Sequence, residues 1–551
     1  VTDDTAGGIR RGAALMASGT ATSRVLGFVR VMVLAAAIGG TTQVADAFAV
    51  ANQLPNILYM LLIGGVLNAI LVPQVVRAYK RNAGQEYVDR LLTIGFLSLA
   101  AITLLLTLAA PILVGLYANF DNHAQTQLAI TFAFWCIPQM FFYGAYGLLG
   151  QVLNARGSFG PYMWAPVVNN VVSIAGFALF VVLFRGVKHN GVLEATSMTT
   201  AETTILGLSA TLGVVAQAAV LLPALRRAGV RYRPRWGLRG SGLGVAGRVA
   251  TWTLAGLSIG QLGYLASSNV STSAPNAAVA LGAPKGSVAG LAAYTMAFLI
   301  FMLPHSLVTV SLATAMFTRL SGHAHDNDTA GVRSNISYSL RTVGVFTVFA
   351  TVAIAVLALP LTRVLLFTAA AQSAHAVAPV TFAMVLGLPA FGVWSIYQRV
   401  FYAYEDARSM LPVQIVMAAV VVSGAFASKA VLSPTHWVVG IGVSMSVSYV
   451  VGMVYAQILL RRRVGSLDGP RVLRVHARAG LAALVSAAVG MPVLFVLAQV
   501  LPDRFVGAVT ECAVVGTLMA LVYVGALRVL RVRELDGLLQ PVLRRLPGRR
   551  R

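Results

Sequence analysis

The feature that most constrains this chain is the recurrence, from one end of its 551 residues to the other, of apolar runs such as "VVSIAGFALFVVLF" (171–184) and "AALVSAAVGMPVLFVLAQV" (482–500). About 20 residues of apolar helix cross the hydrocarbon of a bilayer. Hydrophobic residues make up 58% of the chain and charged residues 11%, against about a quarter charged in soluble domains. No long polar segment is present that could fold apart from the runs. The chain therefore reads as an all-α polytopic membrane protein. Runs and breaks predict fourteen transmembrane helices, at 13–39, 44–76, 91–116, 129–153, 163–184, 202–224, 250–272, 291–318, 342–367, 377–403, 412–432, 438–460, 479–501 and 507–528.

A net charge of +24 would suggest a nucleic-acid partner in a soluble protein, but its distribution excludes that reading. Roughly three quarters of the 41 basic residues fall at the N-terminus, in alternate loops, among them 77–90, 226–248 and 461–480, and in the C-terminal tail. Opposite loops such as "YANFDNHAQTQ" (117–127) carry few. This is the asymmetry of the positive-inside rule. It places both termini in the cytoplasm, with the basic segments against anionic inner-leaflet lipids. Arginine far outnumbers lysine, and Ala, Val and Gly are abundant, a composition typical of a high-G+C bacterium, so the expected location is the bacterial cytoplasmic membrane. The two cysteines, Cys136 and Cys512, lie in separate apolar runs and offer no disulfide framework or metal cluster. The first run is too long, and carries arginine where an h-region is uncharged, to be a signal peptide.

Six spans precede the loop at 226–248, which holds seven arginines and no acid. It reads as a linker between halves. Span 4 runs into "LLGQVLNARGSFGPYMWAPVVNN" (148–170) and span 10 into "YQRVFYAYEDARSMLPVQ" (397–414), each a helix, a polar turn and a proline opening the next helix. Spans 2 and 8 each carry a proline in mid-pattern. This weak similarity predicts two six-helix lobes related by an axis along the membrane normal. The expected divisions are an N-lobe at 1–225, the linker at 226–248, a C-lobe at 249–460, spans 13 and 14 within 461–528, and a basic cytoplasmic tail at 529–551.

Candidate chemistry is sparse. Of the 17 acids only Asp46 and Glu511 approach membrane depth, so the buried carboxylate that an ion-coupled antiporter needs is not evident in the C-terminal half. His323 and His325, in "SGHAHDND", are expected in a solvated cytoplasmic loop, and no constellation for catalysis, a metal or another cofactor is present. What stands out is "SRVLGFVR" (23–30) inside span 1. An arginine at a helix centre costs about 2.5–3.5 kcal/mol on insertion scales, and Arg24 and Arg30 are about 120° apart around an ideal helix. Snorkelling or an ion pair with Asp46 would offset one of them. A wide aqueous cavity would serve both. A cationic cavity poor in acids suits an anionic cargo, pyrophosphate above all, because the guanidinium donates paired hydrogen bonds and stays charged.

These residues carry a family resemblance. "SRVLGFVR" (23–30), "ADAFAVANQLPN" (45–56) and "LVPQVVRAY" (71–79) resemble the N-terminal signature of the MurJ (MviN) lipid II flippases of the MOP exporter superfamily, and "RVFYAYEDARSMLPV" (399–413) resembles their span 10–11 turn. The resemblance extends through all fourteen spans. It implies a V-shaped pair of lobes around a cationic cavity, a groove for the polyprenyl tail framed by spans 13 and 14, and alternating-access flipping of lipid II for cell-wall synthesis. It implies that Arg24 and Arg30 engage the pyrophosphate and that Ser23, Asp46 and Asn56 line the substrate site. The chain departs from the Gram-negative pattern at Tyr59 and Leu299, where arginines stand, and at Gly64, where a glutamate stands. Actinobacterial relatives continue into a cytoplasmic pseudokinase-like domain, and "RRLPGRRR" ends where the linker to such a partner would begin. Alternatives are a flippase for another polyprenyl-linked saccharide, a MOP-type drug exporter, and a non-transporting scaffold that recruits cell-wall synthesis proteins. An enzyme has no supporting residues.

Overall fold

The computed structural model describes residues 3–62, 85–184, 193–230, 232–235, 243–368, 371–406, 408–532 and 534. The second half of expected span 2 including Gly64, most of the segment 77–90, part of 226–248 and the tail after 534 lie outside them. The described residues are helical with short connections, in two compact units that meet in sequence at Ala292 and Ala293.

The first unit contains α1 (Asp3–Ile38), α2 (Gln43–Leu62), α3 (Gln85–Leu108), α4 (Ala110–Tyr117), α5 (His123–Cys136), α6 (Gln139–Ala155), α7 (Gly160–Phe184), α8 (Thr200–Ala219), α9 (Leu221–Arg227) and α10 (Leu243–Ala280). Helix α7 lies between α1 and α8, while α2 packs on α5 and α3 on α6. A core of Leu92, Leu99, Leu148, Val152, Leu153 and Leu221 joins α3, α6 and α9.

The second unit holds α11 (Leu291–Pro304), α12 (Val310–His325), α13 (Thr329–Val356), α14 (Ala358–Leu365), α15 (Ala371–Val385), α16 (Leu388–Ala403), α17 (Leu411–Val431), α18 (Trp437–Val464), α19 (Gly469–Val500) and α20 (Phe505–Val529). Helix α13 packs on α16 and α19, and α18 on α16 and α17. Small residues Ala479, Ala482, Ala483 and Ala487 of α19 allow close approach of α13 and α20, the device that replaces hydrophobic driving force between helices in lipid. Two backbone acceptors are met across these contacts: Tyr523 Oη donates to Val345 O at 2.6 Å and Ser486 Oγ to Met519 O at 2.7 Å.

Ten helical stretches among the described residues are long and apolar enough to cross a membrane, and twelve if two bent pairs each count as one. The α3–α4 pair bends by 67° and the α15–α16 pair by 47°, each where a proline opens the second helix and removes a backbone donor. Pro304 is followed by a π-helical turn at His305–Thr309, another local break within a span. Many apolar side chains face outward, among them Leu105, Ile112, Val182, Phe495 and Leu521. In water such faces would aggregate; in a bilayer they are the ordinary lipid-facing surface.

The two expected spans beyond these twelve have different fates. Span 2 leaves the described residues after Leu62. Span 7 falls inside α10, which is rich in Ser, Thr and Asn, and those side chains are engaged: Ser268 Oγ donates to Tyr117 O at 2.6 Å, Asn269 Nδ2 to Leu116 O at 2.7 Å, and Asn119 N to Thr272 Oγ1 at 2.9 Å. Ser268 and Asn269 satisfy carbonyls left open at the C-terminus of α4, and Thr272 accepts from an amide just beyond it. Helix α10, expected at the head of the C-lobe, thus packs within the first unit, against α2 and α4. The basic segment 461–480, expected as a loop, is helix except for a turn at 465–468: Arg461, Arg462 and Arg463 close α18 and complement its dipole. His323, also expected in a loop, sits in the last turn of α12 and bonds Asp328, the N-cap of α13, at 2.9 Å.

Candidate functional site: the arginine face of α1

Helix α1 ends at Gly39, whose left-handed φ of 80° suits the residue without a side chain, with Gly39 N donating to Ala35 O at 2.8 Å. Thr42 then caps α2, its hydroxyl accepting from Ala45 N at 3.0 Å. The connection between α1 and α2 is thus short and capped at both ends.

Arg24 and Arg30 are both partly buried on α1. No carboxylate among the described residues lies within ion-pair distance of either, and Arg24 Nε is buried without a hydrogen-bond partner. The stretch beside Arg24 is held from α7: Asn170 Nδ2 donates to Ser23 O at 2.8 Å and to Ser23 Oγ at 3.3 Å. Asn170 belongs to a polar seam among the helices. Asn169 Nδ2 donates to Gln217 Oε1 at 2.7 Å, Gln139 Nε2 to Thr211 Oγ1 at 3.2 Å, and Thr211 Oγ1 to Trp135 O at 2.7 Å. A seam of this kind fixes register between helices in a low-dielectric setting.

Asp46 is elsewhere. It is 1% exposed, and its Oδ1 accepts from Ala292 N at 2.7 Å, with the Leu291 amide adding a second bond. It therefore makes no pair with Arg24 or Arg30, which removes the structural ion pair as an account of either. Asp46 instead borders a small polar pocket of about 40 Å³ with Gln43, Gln125, Glu194, Asn276 and Lys285. Asn56 is exposed on α2, one residue past Pro55, and bonds no described residue. The structure thus ties Ser23, the neighbour of Arg24 in α1, to Asn170 on α7, and sets Asp46 in a separate environment.

Four residues missed in the sequence belong here. Asn170 sat in the "APVVNN" stretch, where two asparagines in an apolar run were a signal. Tyr143, Tyr146 and Tyr162, with Tyr59, form an aromatic patch on α2, α6 and α7, and Arg30 lies within electrostatic reach of the Tyr143 hydroxyl.

A family model described as "Lipid II flippase MurJ" matches residues 34–509. The chain belongs to the lipid II flippase MurJ family. Among curated MurJ relatives, a probable lipid II flippase of Rhizobium meliloti is 26% identical over 530 residues, covering 93% of this chain and 92% of that protein. A lipid II flippase of Burkholderia cenocepacia is 28% identical over 483 residues, covering 85% and 87%. A solved structure of the lipid II flippase MurJ in an inward closed conformation shares the fold, with a TM-score of 0.69 at 16% identity over 94% of this chain and 99% of that one. An inward-facing MATE-family transporter of the MOP superfamily aligns with a TM-score of 0.58, covering 80% and 99%. The MurJ match begins just after Arg30, so the charges of α1 stand on their own geometry.

Proposed function

We propose that this MurJ-family protein flips lipid II from the inner to the outer leaflet of the cytoplasmic membrane by alternating access, supplying cell-wall synthesis. The observation that carries the reading is the pair of guanidinium groups on α1 that no described carboxylate neutralises. Arg24 and Arg30 grip the pyrophosphate, Ser23 is held in register beside them by Asn170, Asn56 offers its amide to the headgroup, and Asp46 steadies the backbone at Leu291 and Ala292. In this reading the chain has fourteen spans in two six-helix lobes, 1–225 and 249–460, joined by 226–248. Spans 13 and 14, within 461–528, frame a groove for the polyprenyl tail, and the basic termini, including the tail at 529–551, face the cytoplasm and its anionic lipids. Cell-wall synthesis proteins and a pseudokinase-like domain are the proposed protein partners.

Moving about two pyrophosphate charges outward against an inside-negative potential of ~100 mV releases roughly 4–5 kcal/mol. Over a full cycle the charges of the cavity itself cancel, so this is the whole electrical gain, divided between the loaded and the return step, and the membrane potential drives the cycle without a coupling ion. The test is the amount of outer-leaflet lipid II in depleted cells complemented by the wild type, Arg24→Ala or Arg30→Ala, with and without the membrane potential. Normal flipping by either variant sinks the arginine grip, and unchanged flipping after depolarisation sinks the voltage drive.

A further inference from the structure

The aromatic patch of the first unit is ordered in a way that packing alone does not require. Tyr59 and Tyr143 have ring centroids 5.3 Å apart at an interplanar angle of 32°, and Tyr146 stacks on Tyr162 at 4.7 Å and 12°. Tyr59 lies within electrostatic reach of both Tyr146 and Tyr162, which joins the two pairs. Residues 143 and 146 share a face of α6 by their spacing. Gly150, one turn further, leaves the room that the Tyr162 ring occupies: a Cβ there would meet the ring at 2.2 Å.

The hydroxyls divide into two kinds. Tyr146 Oη donates to Tyr162 O at 3.0 Å and is bonded by the Gln217 side chain. The hydroxyls of Tyr59 and Tyr143 bond no described residue, and neither is among the described buried atoms that lack a partner, so both are open to approach although their rings are partly buried. Phe141 and Phe142, immediately before Tyr143, show that α6 uses phenylalanine where a ring alone is needed. The ring faces are turned on one another, which leaves the two hydroxyls as what this patch offers. Arg30 lies within electrostatic reach of the Tyr143 hydroxyl.

We infer that the Tyr59 and Tyr143 hydroxyls are substrate-binding donors that share the lipid's phosphate oxygens with Arg30. The inference rests on the reading of Arg30 as a pyrophosphate grip and deepens it. A phosphate oxygen accepts several hydrogen bonds at once, and hydrogen bonds to an ionised acceptor are the strong ones. Phenols add such bonds without adding charge. A carrier must release its cargo as well as hold it, so neutral donors beside a single guanidinium tighten the grip less than another cation would. A sugar platform is disfavoured because stacked sugars need open ring faces, and these faces are used within the patch.

The experiment uses the full chain in nanodiscs with Tyr59→Phe, Tyr143→Phe, the double variant and Arg30→Ala. Two probes are titrated: lipid II, and a polyprenyl pyrophosphate that carries no sugar. Phenylalanine keeps the rings, so the thermal midpoint stays at the wild-type value. Each single variant weakens both probes by the same factor, about tenfold, the size expected for a hydrogen bond to a charged group. The double variant weakens them further. Unchanged affinity in the tyrosine variants, with Arg30→Ala weakened, overturns the inference and leaves the arginine grip standing. A loss confined to lipid II also overturns it, since the hydroxyls then meet the sugar or peptide. Full affinity in Arg30→Ala overturns the arginine grip, and the phenol inference falls with it.

Discussion

Three arginines of the second unit and the two arginines of α1 in the first are treated in opposite ways. In the second unit Arg341 is buried against Glu534, Arg363 pairs with Asp503 at 2.7 Å, and Arg463 pairs with Asp406 at 2.5 Å while lying 4.3 Å over the Tyr404 ring. In the first unit Arg24 and Arg30 are also withdrawn from solvent, yet no described acid meets them. A buried charge without a partner is costly, and the three arginines of the second unit have partners where these two have no described acid, which is the ground for proposing that the α1 charges meet an incoming anion. The contrast separates arginines paired within the fold from the two proposed above to grip an anion.

The largest expected effect tests that separation directly. Arg24→Ala and Arg30→Ala each abolish growth of cells depleted of the native protein while reaching wild-type levels in the membrane, measured by complementation and immunoblot. Lysine at either position restores only part of the growth, because an ammonium cannot make the paired bonds of the guanidinium. The reverse holds in the second unit. Arg341→Ala strands the Glu534 carboxylate and lowers stability by about 3–5 kcal/mol, whereas Arg341→Leu combined with Glu534→Leu is close to neutral; thermal unfolding in detergent distinguishes them. If the Arg341→Ala protein is as stable as the wild type, the division into structural and substrate arginines loses its second half.

A smaller effect sharpens how Arg24 is held. Asn170→Ala removes the donor to Ser23, costing about 1 kcal/mol. It weakens lipid II binding about fivefold with the helices intact, read by titration and circular dichroism. The smallest concerns an exposed cluster outside the spans. Glu86 accepts from Arg235 at 2.7 Å and from Arg90 at 2.8 Å, and the Arg235 hydrogen bond first, then the charges of Arg235 and Arg90, hold its carboxyl below the usual range. A carboxyl depressed on folding contributes stability above its unfolded pKa, about 4.3 for glutamate, and loses it as the pH falls through the lower folded value. Glu86→Gln therefore shows a slight, constant deficit near neutral pH that closes in acid. A deficit that grows in acid contradicts the cluster.

Much of this was legible along the chain because bilayer physics writes itself in one dimension. An apolar run of span length has few other fates, whereas the bends at Pro111 and Pro389, inside runs read as the continuous spans 91–116 and 377–403, came only with the structure. The α10 helix was less legible. Its serines, threonines and asparagines lower its hydropathy for a reason visible only once Tyr117 and Leu116 present their carbonyls. Asp46 was legible as a buried acid but not as a ligand of backbone amides far along the chain. Tyr59 showed only the absence of an arginine until Tyr143 was placed against it.

The sequence by itself determined that this is a helical membrane protein with two charges in its first span that hydrocarbon would not tolerate, because insertion cost depends on residue type and local run length. Only the tertiary structure decided that no described acid cancels those charges, that Asn170 reaches Ser23, and that Tyr59 and Tyr143 pair with hydroxyls that bond no described residue. Those facts depend on which faces of α1, α2, α6 and α7 meet, and distance between side chains is set by packing rather than by position in the chain.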